Sequence, residues 1–396
     1  MVQHSRSLNP SVTEIPADKI LGFQASIQSV PDMVYLTLGE PGFDAPNVVK
    51  EATVQGIRAN HSHYGNSQGN PELRQAVIDY LADRYRLTTY KDPNQVVITA
   101  GVSEAMYAIF KTVLSSGDGI LVPDPAYGSY FSSIALADGK ALPIDTSLSG
   151  FKLTPEAIHK AVKAASVPVK AVLFNYPNNP TGVTYSYEEL SALAQAFEEE
   201  QLWVISDEIY SELTYGKAHF SIGQLIPDQT LVVNGLSKSH AMTGYRVGFI
   251  LAPQVVADQL KKVHASLIYS IPTFVYDGAL AALKMQKEEL NDMIKSYEAR
   301  RNMAVDALKE AGFHVLSPDG AFYLFAKLPV DIKEDGWTFA EKLAKEGHVG
   351  VIPGEAFSQF EGAKDYIRIS YAGDQEQLKE GLERISDYIE KRRANR

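Results

Sequence analysis

The sequence predicts an α/β fold with two parts: a large domain built on a mostly parallel seven-stranded sheet covered by helices, and a smaller α+β domain. First, apolar runs of strand length alternate with segments of helical periodicity from residue 96 onward, which is the pattern of βαβ units. Second, the chain changes character after residue 275, where a long charged helix precedes runs typical of paired antiparallel strands. We therefore expect a large domain over residues 46–280, and a small domain that combines residues 1–45 with residues 281–396.

Seven apolar runs are predicted to form the large sheet. VKAVLF and LWVIS are almost continuously apolar, as expected for parallel strands that are buried on both faces. The segments between the runs have the apolar stripe of surface helices, and VSEAMYAIFKTVLSSG is expected to end at Gly117. In chain order, the strands are VVITAG, GILVPDP, ALPID, VKAVLFNYP, LWVISDEIY, TLVVN and VGFILA. The helices are VSEAMYAIFKTVLSSG, a segment near YGSYFSSIALADG, PEAIHKAVKAA and SYEELSALAQAFEEE.

The flanking segments are predicted from the same two periodicities. Before the sheet we expect a helix in DKILGFQASIQSV, a strand in MVYLTLG, and helices over residues 46–60 and 71–86 joined by a polar loop. After the sheet we expect the helix EELNDMIKSYEARRNMAVDALKEAG and paired strands in FHVLSPDGAFYLFAKLP. The remaining elements are the helix WTFAEKLAKEG, strands near VGVIPG and YIRISYA, and a terminal helix.

Composition excludes several classes of function. The formal net charge of -11 over 396 residues argues against a nucleic-acid or anionic-membrane partner. The absence of cysteine rules out disulfides, thiolate zinc sites and a cysteine nucleophile. The first residues lack the apolar run of a signal peptide, and no run is long enough to span a bilayer, so the expected location is the cytoplasm.

The stretch after the strand TLVVN carries a lysine suited to covalent chemistry. The strand is predicted to end at Gly235, with Ser237, Lys238 and Ser239 in a loop at the carboxyl-end edge of the sheet, where α/β proteins bind ligands. A lysine forms Schiff bases when its surroundings keep part of it unprotonated. Arg246, eight positions on, is a fixed cation suited to a phosphate. Taken alone, the stretch is equally compatible with a surface lysine beside a structural arginine.

Polar and aromatic residues also follow four other predicted strands. Each has an ordinary structural alternative: a helix cap for the carboxylate, a turn for the asparagines and core packing for the aromatic ring. Their joint occurrence at five successive strand ends favours a single site. The residues are Gly101, Val102 and Ser103 at the start of a helix, Tyr127, Asn178 and Asn179, and Asp207 with Tyr210.

This set suits pyridoxal 5'-phosphate chemistry, in which the cofactor acts as an electron sink held by a lysine Schiff base. Lys238 is predicted to form that Schiff base and then to move the proton at the substrate α-carbon. Asp207 is predicted to pair with the pyridine nitrogen, and Tyr210 and Asn179 to hydrogen-bond the phenolic oxygen. Tyr127 would stack on the ring.

The phosphate of the cofactor is expected at a helix start. Backbone amides at a helix N-terminus bind anions, and the predicted helix after VVITA begins there. The phosphate ligands would be the amides of Val102 and Ser103 together with Ser237 and Arg246.

The chain resembles the fold type I pyridoxal-phosphate aminotransferases of class I, the group that includes aspartate and aromatic aminotransferases. The motifs that carry the resemblance occur in the order seen in that family and cover nearly the whole chain. They are LGEPGFDAP, HYGNSQGNPELR, YPNNPTG, SDEIYSEL, NGLSKSHAMTGYRVGF, PDGAFYLF and YIRISYA.

The resemblance implies further site residues and a partner. Arg368 of YIRIS matches the arginine that takes the substrate α-carboxylate bidentately, and Gly39 of LGEPG matches a backbone contact to the same carboxylate. Tyr64 matches a tyrosine that reaches the phosphate bound by the neighbouring subunit, which implies a homodimer with shared active sites. Asn179 is implied as a substrate contact as well.

The sequence departs from the best-known aspartate enzymes of the family at three points. Tyr127 replaces a tryptophan at the stacking position, and Gly235 stands where some relatives have a phosphate-binding serine, so Ser237 is left to make that contact. No second arginine for a dicarboxylic side chain can be identified. The sequence GLSKSHAMTGYRVG looks most similar to that of bacterial aromatic aminotransferases. We therefore expect an aromatic donor and a 2-oxo acid acceptor such as 2-oxoglutarate, in a ping-pong reaction through a pyridoxamine phosphate form.

Three alternatives stay open. The first is an aspartate or N-acetyl-diaminopimelate aminotransferase, and the second is a C–S β-lyase on the same fold, which would release ammonia and pyruvate. The third is a pyridoxal-dependent regulator, which would need a DNA-binding module for which the chain has little room before residue 46. His61 and His63 lie in a polar loop without a carboxylate at metal spacing, so no metal site is expected.

Overall fold

The computed structural model describes residues 8–13 and 15–395. Its strands, in chain order, are β1 Val34–Tyr35, β2 Val96–Ala100, β3 Gly119–Asp124, β4 Lys140–Asp145, β5 Val169–Asn175, β6 Trp203–Asp207, β7 Thr230–Gly235, β8 Val247–Leu251, β9 His314–Val315, β10 Tyr323–Lys327, β11 Val349–Gly350, β12 Ile352–Pro353 and β13 Tyr366–Ser370.

The helices surround three sheets built from these strands. In chain order, the helices are α1 Pro10–Thr13, α2 Lys19–Ile27, α3 Asn47–Arg58, α4 Pro71–Tyr85, α5 Gly101–Val113, α6 Ser129–Leu136, α7 Pro155–Ala164, α8 Tyr187–Glu199, α9 Leu236–Ser239, α10 Gln254–Leu267, α11 Phe274–Leu283, α12 Asn291–Glu310, α13 Gly336–Gly347 and α14 Gln375–Ala394.

The seven-stranded sheet has the order β2-β8-β7-β6-β5-β3-β4. The pairs from β7 to β4 are parallel, whereas β8 runs antiparallel to both of its neighbours. This confirms the predicted mostly parallel sheet and its seven strands. The carboxyl ends of the six other strands therefore meet at one edge, where a ligand site is expected.

Both faces of this sheet are buried under helices, which explains why its strands are apolar throughout. In β6, Val204 joins one apolar cluster with α8, while its neighbour Ile205 joins the cluster on the opposite face with α5 and α10. In β5, Phe174 and Leu173 divide between the same two clusters. Because successive side chains of a strand point to opposite faces of the sheet, each strand contributes residues to both apolar clusters.

The smaller domain is centred on the antiparallel sheet β12-β13-β10-β9. Residues from α2, α12, α13 and α14 pack with this sheet in one apolar cluster. The pair β1-β11 joins Val34 to Val349, so the N-terminal segment contacts the C-terminal part of the chain. This pairing favours the predicted grouping of residues 1–45 with residues 281–396, and the boundaries at 45 and 280 stay predictions.

Three local predictions need correction. Helix α5 ends at Val113 rather than Gly117, because the carboxylate of Asp118 captures the backbone N–H of Ser115 at 2.9 Å and closes a turn instead. The loop predicted after Gly235 is a helical turn, α9. Helices α10 and α11, which precede residue 285, were not assigned from the sequence.

Candidate active site

A cavity of about 590 Å³ opens at the carboxyl-end edge of the large sheet, facing the smaller domain. Eleven of the twelve residues predicted to contact the cofactor or the substrate come together here. These residues are Gly39, Val102, Ser103, Tyr127, Asn179, Asp207, Tyr210, Ser237, Lys238, Arg246 and Arg368.

Lys238 reaches the cavity from α9, the helical turn that follows β7. Its Nζ donates a hydrogen bond of 2.6 Å to the carbonyl of Gly39. Burial lowers the pKa of Lys238 to about 8; Glu40 opposes this shift, and the nearby Arg246 adds to it. A substantial fraction of the amine is therefore unprotonated near neutral to mildly alkaline pH, which is the condition for Schiff-base formation.

The backbone before this lysine has no room for a side chain. A Cβ on Gly235 would lie 2.7 Å from the carbonyl oxygen of Val247 on the neighbouring strand. A serine at this position would have to displace that strand, which explains the glycine noted in the sequence. Ser237, two residues on, is buried on the cavity wall, and its hydroxyl has no partner in the described ranges. It is therefore the serine of this turn that can meet an anion.

Asp207 ends β6 and is buried beneath the cavity. Its Oδ2 accepts a 2.6 Å hydrogen bond from the Tyr130 hydroxyl, and its Oδ1 accepts one from the N–H of Ile209. Burial raises the pKa of this carboxyl to about 6, and the Tyr130 hydrogen bond opposes the shift. A cationic ring nitrogen beside it would lower the pKa again, so the carboxyl suits a protonated pyridine. The helix-cap alternative is wrong, because no helix begins at this residue.

Tyr210 lies three residues beyond Asp207 on the same turn. Burial raises the pKa of its phenol well above the ordinary value, so the hydroxyl stays protonated at any physiological pH. The hydroxyl lies 3.0 Å from that of Tyr323, which comes from β10 in the smaller domain. This contact connects the two halves of the cavity.

The start of α5 forms an anion cradle at one end of the cavity. Gly101 has a φ of +74°, and a Cβ on it would lie 2.6 Å from Nη2 of Arg246. The strand-to-helix turn therefore requires glycine and lies directly against the guanidinium. The N–H groups of Val102 and Ser103 are in the first turn and have no intrahelical acceptor. Together they make a phosphate-binding corner.

Arg368 stands at the other end of the cavity, on β13, and is almost completely buried. It donates to Asn179 Oδ1 at 3.0 Å and to the carbonyl of Thr37 at 2.8 Å. The rings of Tyr323 and Phe357 lie 4.4 and 4.7 Å from its Cζ, and its Nε has no partner in the described part of the chain. A stacked, fixed guanidinium with a donor unsatisfied is suited to a planar carboxylate.

Tyr127 lies between these two ends. Its side chain is 37% exposed and meets Tyr130 edge to face, with the ring centroids 5.6 Å apart. It is therefore not a core residue, and it leaves ring surface open for stacking on a flat ligand.

Several wall residues were missed by the sequence reasoning. Tyr130, which orients Asp207, follows Tyr127 by three positions at the start of α6, and a phenol behind a buried carboxyl has no sequence signature. Tyr323 lies within the quoted motif PDGAFYLF, but its role depends on a partner 113 residues away. Ile20 and Gln24 of α2, Leu38, Glu40 and Thr243 also line the cavity and were not assigned from the sequence.

Tyr64 is the predicted residue that lies elsewhere. It is 89% exposed and borders a separate cavity of about 400 Å³ formed by residues 61–64 and 270–274. Close by, His61 Nδ1 lies 2.8 Å from a carboxylate oxygen of Asp277 on α11, a contact between residues far apart in the chain. No cluster of three or more metal-ligand residues occurs among residues 8–13 and 15–395.

The donor set fits pyridoxal phosphate. An amine with a lowered pKa, a buried carboxyl with a raised pKa, a half-open aromatic ring and a phosphate-binding corner line one cavity with a guanidinium for a second anion. Fold and site together define a pyridoxal-phosphate-dependent aminotransferase. The chain belongs to the aminotransferase class I and II family, whose profile matches residues 31–385. Members of this family depend on pyridoxal phosphate.

Relatives of the chain differ in their named substrates. The probable N-acetyl-LL-diaminopimelate aminotransferase of Bacillus subtilis is 38% identical over 98% of this chain and 96% of its own. An aspartate aminotransferase double mutant of Thermus thermophilus superposes with a TM-score of 0.89 at 33% identity, over 96% and 99% of the chains. An aromatic aminotransferase of Pyrococcus horikoshii gives 0.85 at 32%, over 94% and 99%. Membership of the family therefore does not fix the substrate side chain.

No helix in the two described ranges is both long and apolar enough to cross a lipid bilayer.

Proposed function

We propose that the enzyme transfers the α-amino group of an aromatic amino acid to a 2-oxo acid such as 2-oxoglutarate, in a ping-pong reaction. The observation that carries this proposal is the distribution of cations on the cavity wall. Within the described residues, the cationic wall groups are Lys238, Arg246 and Arg368, and each already has a task. The donor side chain would therefore meet a wall without a free cation.

That wall is formed by the N-terminal segment. Ile20 and Gln24 of α2 and Leu38 after β1 line the cavity and are uncharged, and the charged residue of this segment on the wall, Glu40, is an anion. Phe23 and Ile27, on the other side of α2, are buried in the core of the smaller domain and fix the helix in place. An apolar ring gains free energy by covering such a surface, whereas a side-chain carboxylate would lose its hydration without a counter-charge.

The residues of the chain divide the work as follows. Arg368 would bind the α-carboxylate bidentately beside Asn179, with a backbone contact from Gly39. Lys238 would take the proton from the substrate α-carbon as general base and would then act as general acid. When bound, pyridoxal phosphate supplies the electron sink that makes this proton acidic.

The remaining residues would hold the cofactor. Asp207 would keep the pyridine nitrogen protonated, and Tyr210 and Asn179 would donate hydrogen bonds to the phenolic oxygen. Tyr127 would cover one face of the ring. The phosphate would lie in the corner formed by the amides of Val102 and Ser103, by Ser237 and by Arg246.

A second candidate is transamination of an N-acetyl-diaminopimelate. The relative from Bacillus subtilis named for that activity favours it, at 38% identity over nearly the whole chain. The same wall could also serve this substrate, because the uncharged amide of Gln24 can hydrogen-bond an acetamido group.

We also propose that the working unit is a homodimer that shares its sites through Tyr64. The exposed Tyr64 ring packs on Tyr269, at a centroid distance of 5.1 Å, beside an open surface cavity. This arrangement supports a tyrosine held out toward a second copy. Mixing Lys238→Ala subunits with Tyr64→Ala subunits would then create hybrid dimers with one intact site, and activity should recover to about a quarter of the wild-type level. No recovery after subunit exchange would contradict sharing.

The substrate proposal is tested by titrating the purified enzyme with amino acids while recording the cofactor spectrum. Phenylalanine or tyrosine should remove the absorbance of the lysine-bound cofactor, and 2-oxoglutarate should restore it. Conversion by N-acetyl-LL-diaminopimelate alone would favour the second candidate. Conversion by aspartate alone would contradict the proposal that the wall without a free cation selects an aromatic side chain. Ammonia and pyruvate released from cystathionine would instead identify a C–S β-lyase.

A further inference from the structure

Two buried polar side chains behind the anion cradle have no role in the function proposed above. Glu104 lies in the first turn of α5, and His264 lies in the last turn of α10. The ring nitrogen Nδ1 of His264 is 3.1 and 3.3 Å from the two carboxylate oxygens of Glu104. Only 1% of the His264 side chain and 11% of the Glu104 side chain are exposed. This is an interaction inside the protein, facing away from solvent.

The carboxylate also holds the turn that leads into the cradle. Glu104 Oε2 accepts a 3.1 Å hydrogen bond from the backbone N–H of Ala100, the last residue of β2. Ala100 occupies the N-cap position of α5, and its methyl side chain cannot cap a helix. Glu104 therefore fixes the strand-to-helix turn from the inside. The N–H groups of Val102 and Ser103 are left free to face the cavity.

Charge makes the direction of Glu104 important. A carboxylate in the first turn of a helix interacts favourably with the helix dipole, but it competes with any anion bound at the same helix start. If Glu104 turned outward, it would lie beside the phosphate corner formed with Arg246 and would repel a phosphate dianion. The hydrogen bond from His264 keeps the carboxylate turned inward.

The surroundings argue that the pair does more than join two helices. Ala105 and Ile109 of α5 pack against Ala257 and Leu260 of α10 in one apolar cluster. The helices are therefore already joined by apolar contacts around the pair. A buried polar pair is a poor source of stability at such a position, where apolar side chains of similar size would serve as well or better.

We propose that Glu104 and His264 are a positioning pair that sets the first turn of α5 for the phosphate of the cofactor. Glu104 acts through the backbone of Ala100 and the turn that follows, and His264 acts by holding Glu104. The inference rests on the proposed phosphate site at residues 102 and 103.

The test compares two ligands of the cofactor-free protein: pyridoxal phosphate, and pyridoxal, which lacks the phosphate. Their dissociation constants are measured by absorbance for the wild type and for Glu104→Ala, His264→Ala and His264→Asn. The two alanine variants should weaken pyridoxal phosphate binding by about tenfold or more and change pyridoxal binding by less than about twofold. His264→Asn should recover most of the loss, because its amide nitrogen can take the position of Nδ1.

Lys111→Met is the matched control. Lys111 lies in the last turn of the same helix and pairs with Asp138 at 3.0 Å on the surface, so its loss should change neither constant. Equal weakening of both ligands, or no change in either, would overturn the positioning role. Should His264→Ala prove too unstable to assay, Glu104→Ala and His264→Asn decide the matter. A wild type that binds both ligands equally would instead refute the proposed phosphate site itself.

Discussion

The two walls of the active-site cavity are built in different ways. The wall on the large sheet includes residues that lie at the carboxyl end of a buried strand or within three positions of it: Val102, Tyr127, Asp207 and Lys238. The opposite wall gathers Gly39 and other parts of the N-terminal segment with side chains from β10 and β13. Groups proposed to hold the cofactor therefore lie on the rigid edge of one sheet, while groups proposed to recognise the substrate come from segments that tertiary packing brings together.

The two walls also differ in their electrostatics. On the sheet wall, burial brings the pKa of Lys238 down to about 8 and the pKa of Asp207 up to about 6, so both groups can exchange protons near neutral pH. On the opposite wall, burial raises the pKa of the Tyr323 phenol and lowers that of the Arg368 guanidinium. An arginine side chain is effectively always protonated, and a phenol whose pKa is raised stays neutral at physiological pH. The groups proposed for proton transfer therefore lie on one wall, and those proposed for fixed-charge recognition lie on the other.

The largest expected effect comes from removing the proton-transfer group of the sheet wall. Lys238→Ala should lower kcat for transamination by about 10⁴-fold or more, because no other amine lines the cavity within the described ranges. Circular dichroism should show an unchanged fold. Lys217→Ala, which removes an exposed lysine paired with Asp319, is the control and should keep full activity. Appreciable turnover by Lys238→Ala at saturating substrate would sink the assignment.

The second largest effect should come from the opposite wall, here called the recognition wall because its groups are proposed to recognise the substrate. In Arg368→Lys, the ammonium can neither stack between Tyr323 and Phe357 nor bind a carboxylate in two places, so kcat/KM should fall by about 10²–10³-fold. The affinity for pyridoxal phosphate should stay unchanged. Arg301→Lys is the matched control, because Arg301 also stacks on a tyrosine ring, at 4.7 Å, but lies outside the cavity. If Arg368→Lys also lost affinity for the cofactor, Arg368 would not act in substrate recognition alone, and the proposed division of tasks between the walls would be wrong.

The same difference explains what could be predicted from the sequence. Strands that end at one edge of a parallel sheet place the residues at and just beyond each strand end in the site, so Lys238 and Asp207 follow from local patterns. Arg368 was assigned only through the resemblance to a family, because an arginine within YIRIS gives no local sign of its task. Phe357 and Tyr130 gave no signal at all, since each acts through a contact with a residue far away in the chain.

A third, smaller effect should appear in stability. The folded-state pKa of Asp207 is about 6, above the ordinary value of 3.8, so the folded cofactor-free protein binds more protons than the unfolded chain between these values. The contribution to stability is fully present below about pH 4 and is lost as the pH rises through about 6. Asp207→Asn cannot ionise, so at pH 7.5 it should be more stable than the wild type by about 1–3 kcal/mol, and at pH 4 it should show no gain.

Urea unfolding of the cofactor-free proteins at several pH values measures this difference. Asp124 is the matched control, because burial also raises its pKa to about 6 but it lies outside the cavity wall. Asp124→Asn should share the stability signature, whereas Asp207→Asn alone should slow α-proton removal. If the free energy of unfolding changed with pH in the same way for wild type and Asp207→Asn, burial would not raise the pKa of the Asp207 carboxyl.

The smallest effect should come from the hydrogen bonds between residues 124–126 and residues 357–359. Asp124, at the end of β3, accepts hydrogen bonds from the Ser358 hydroxyl and from the N–H of Gln359, and Ala126 N–H donates to the carbonyl of Phe357 at 2.9 Å. These bonds tie the sheet to the segment whose Phe357 ring covers Arg368. These bonds therefore add to the contacts that Tyr210 and Lys238 make with the opposite wall.

Ser358→Ala removes the bond to Asp124 and the bond that Ser358 Oγ accepts from the N–H of Phe360. It leaves the backbone N–H bonds of Gln359 and Ala126 in place. We expect KM for the amino acid to rise by about two- to fivefold with kcat nearly unchanged, because one buried hydrogen bond contributes about 1 kcal/mol to holding Phe357 against the guanidinium. The loss of the Ser358 donor should also raise the pKa of Asp124 further. Ser191→Ala, which removes an exposed hydroxyl bond within α8, should leave KM unchanged. An equal fall in kcat would mean that these hydrogen bonds also position the residues of the sheet wall. The two walls would then differ in chemistry but not in mechanical independence.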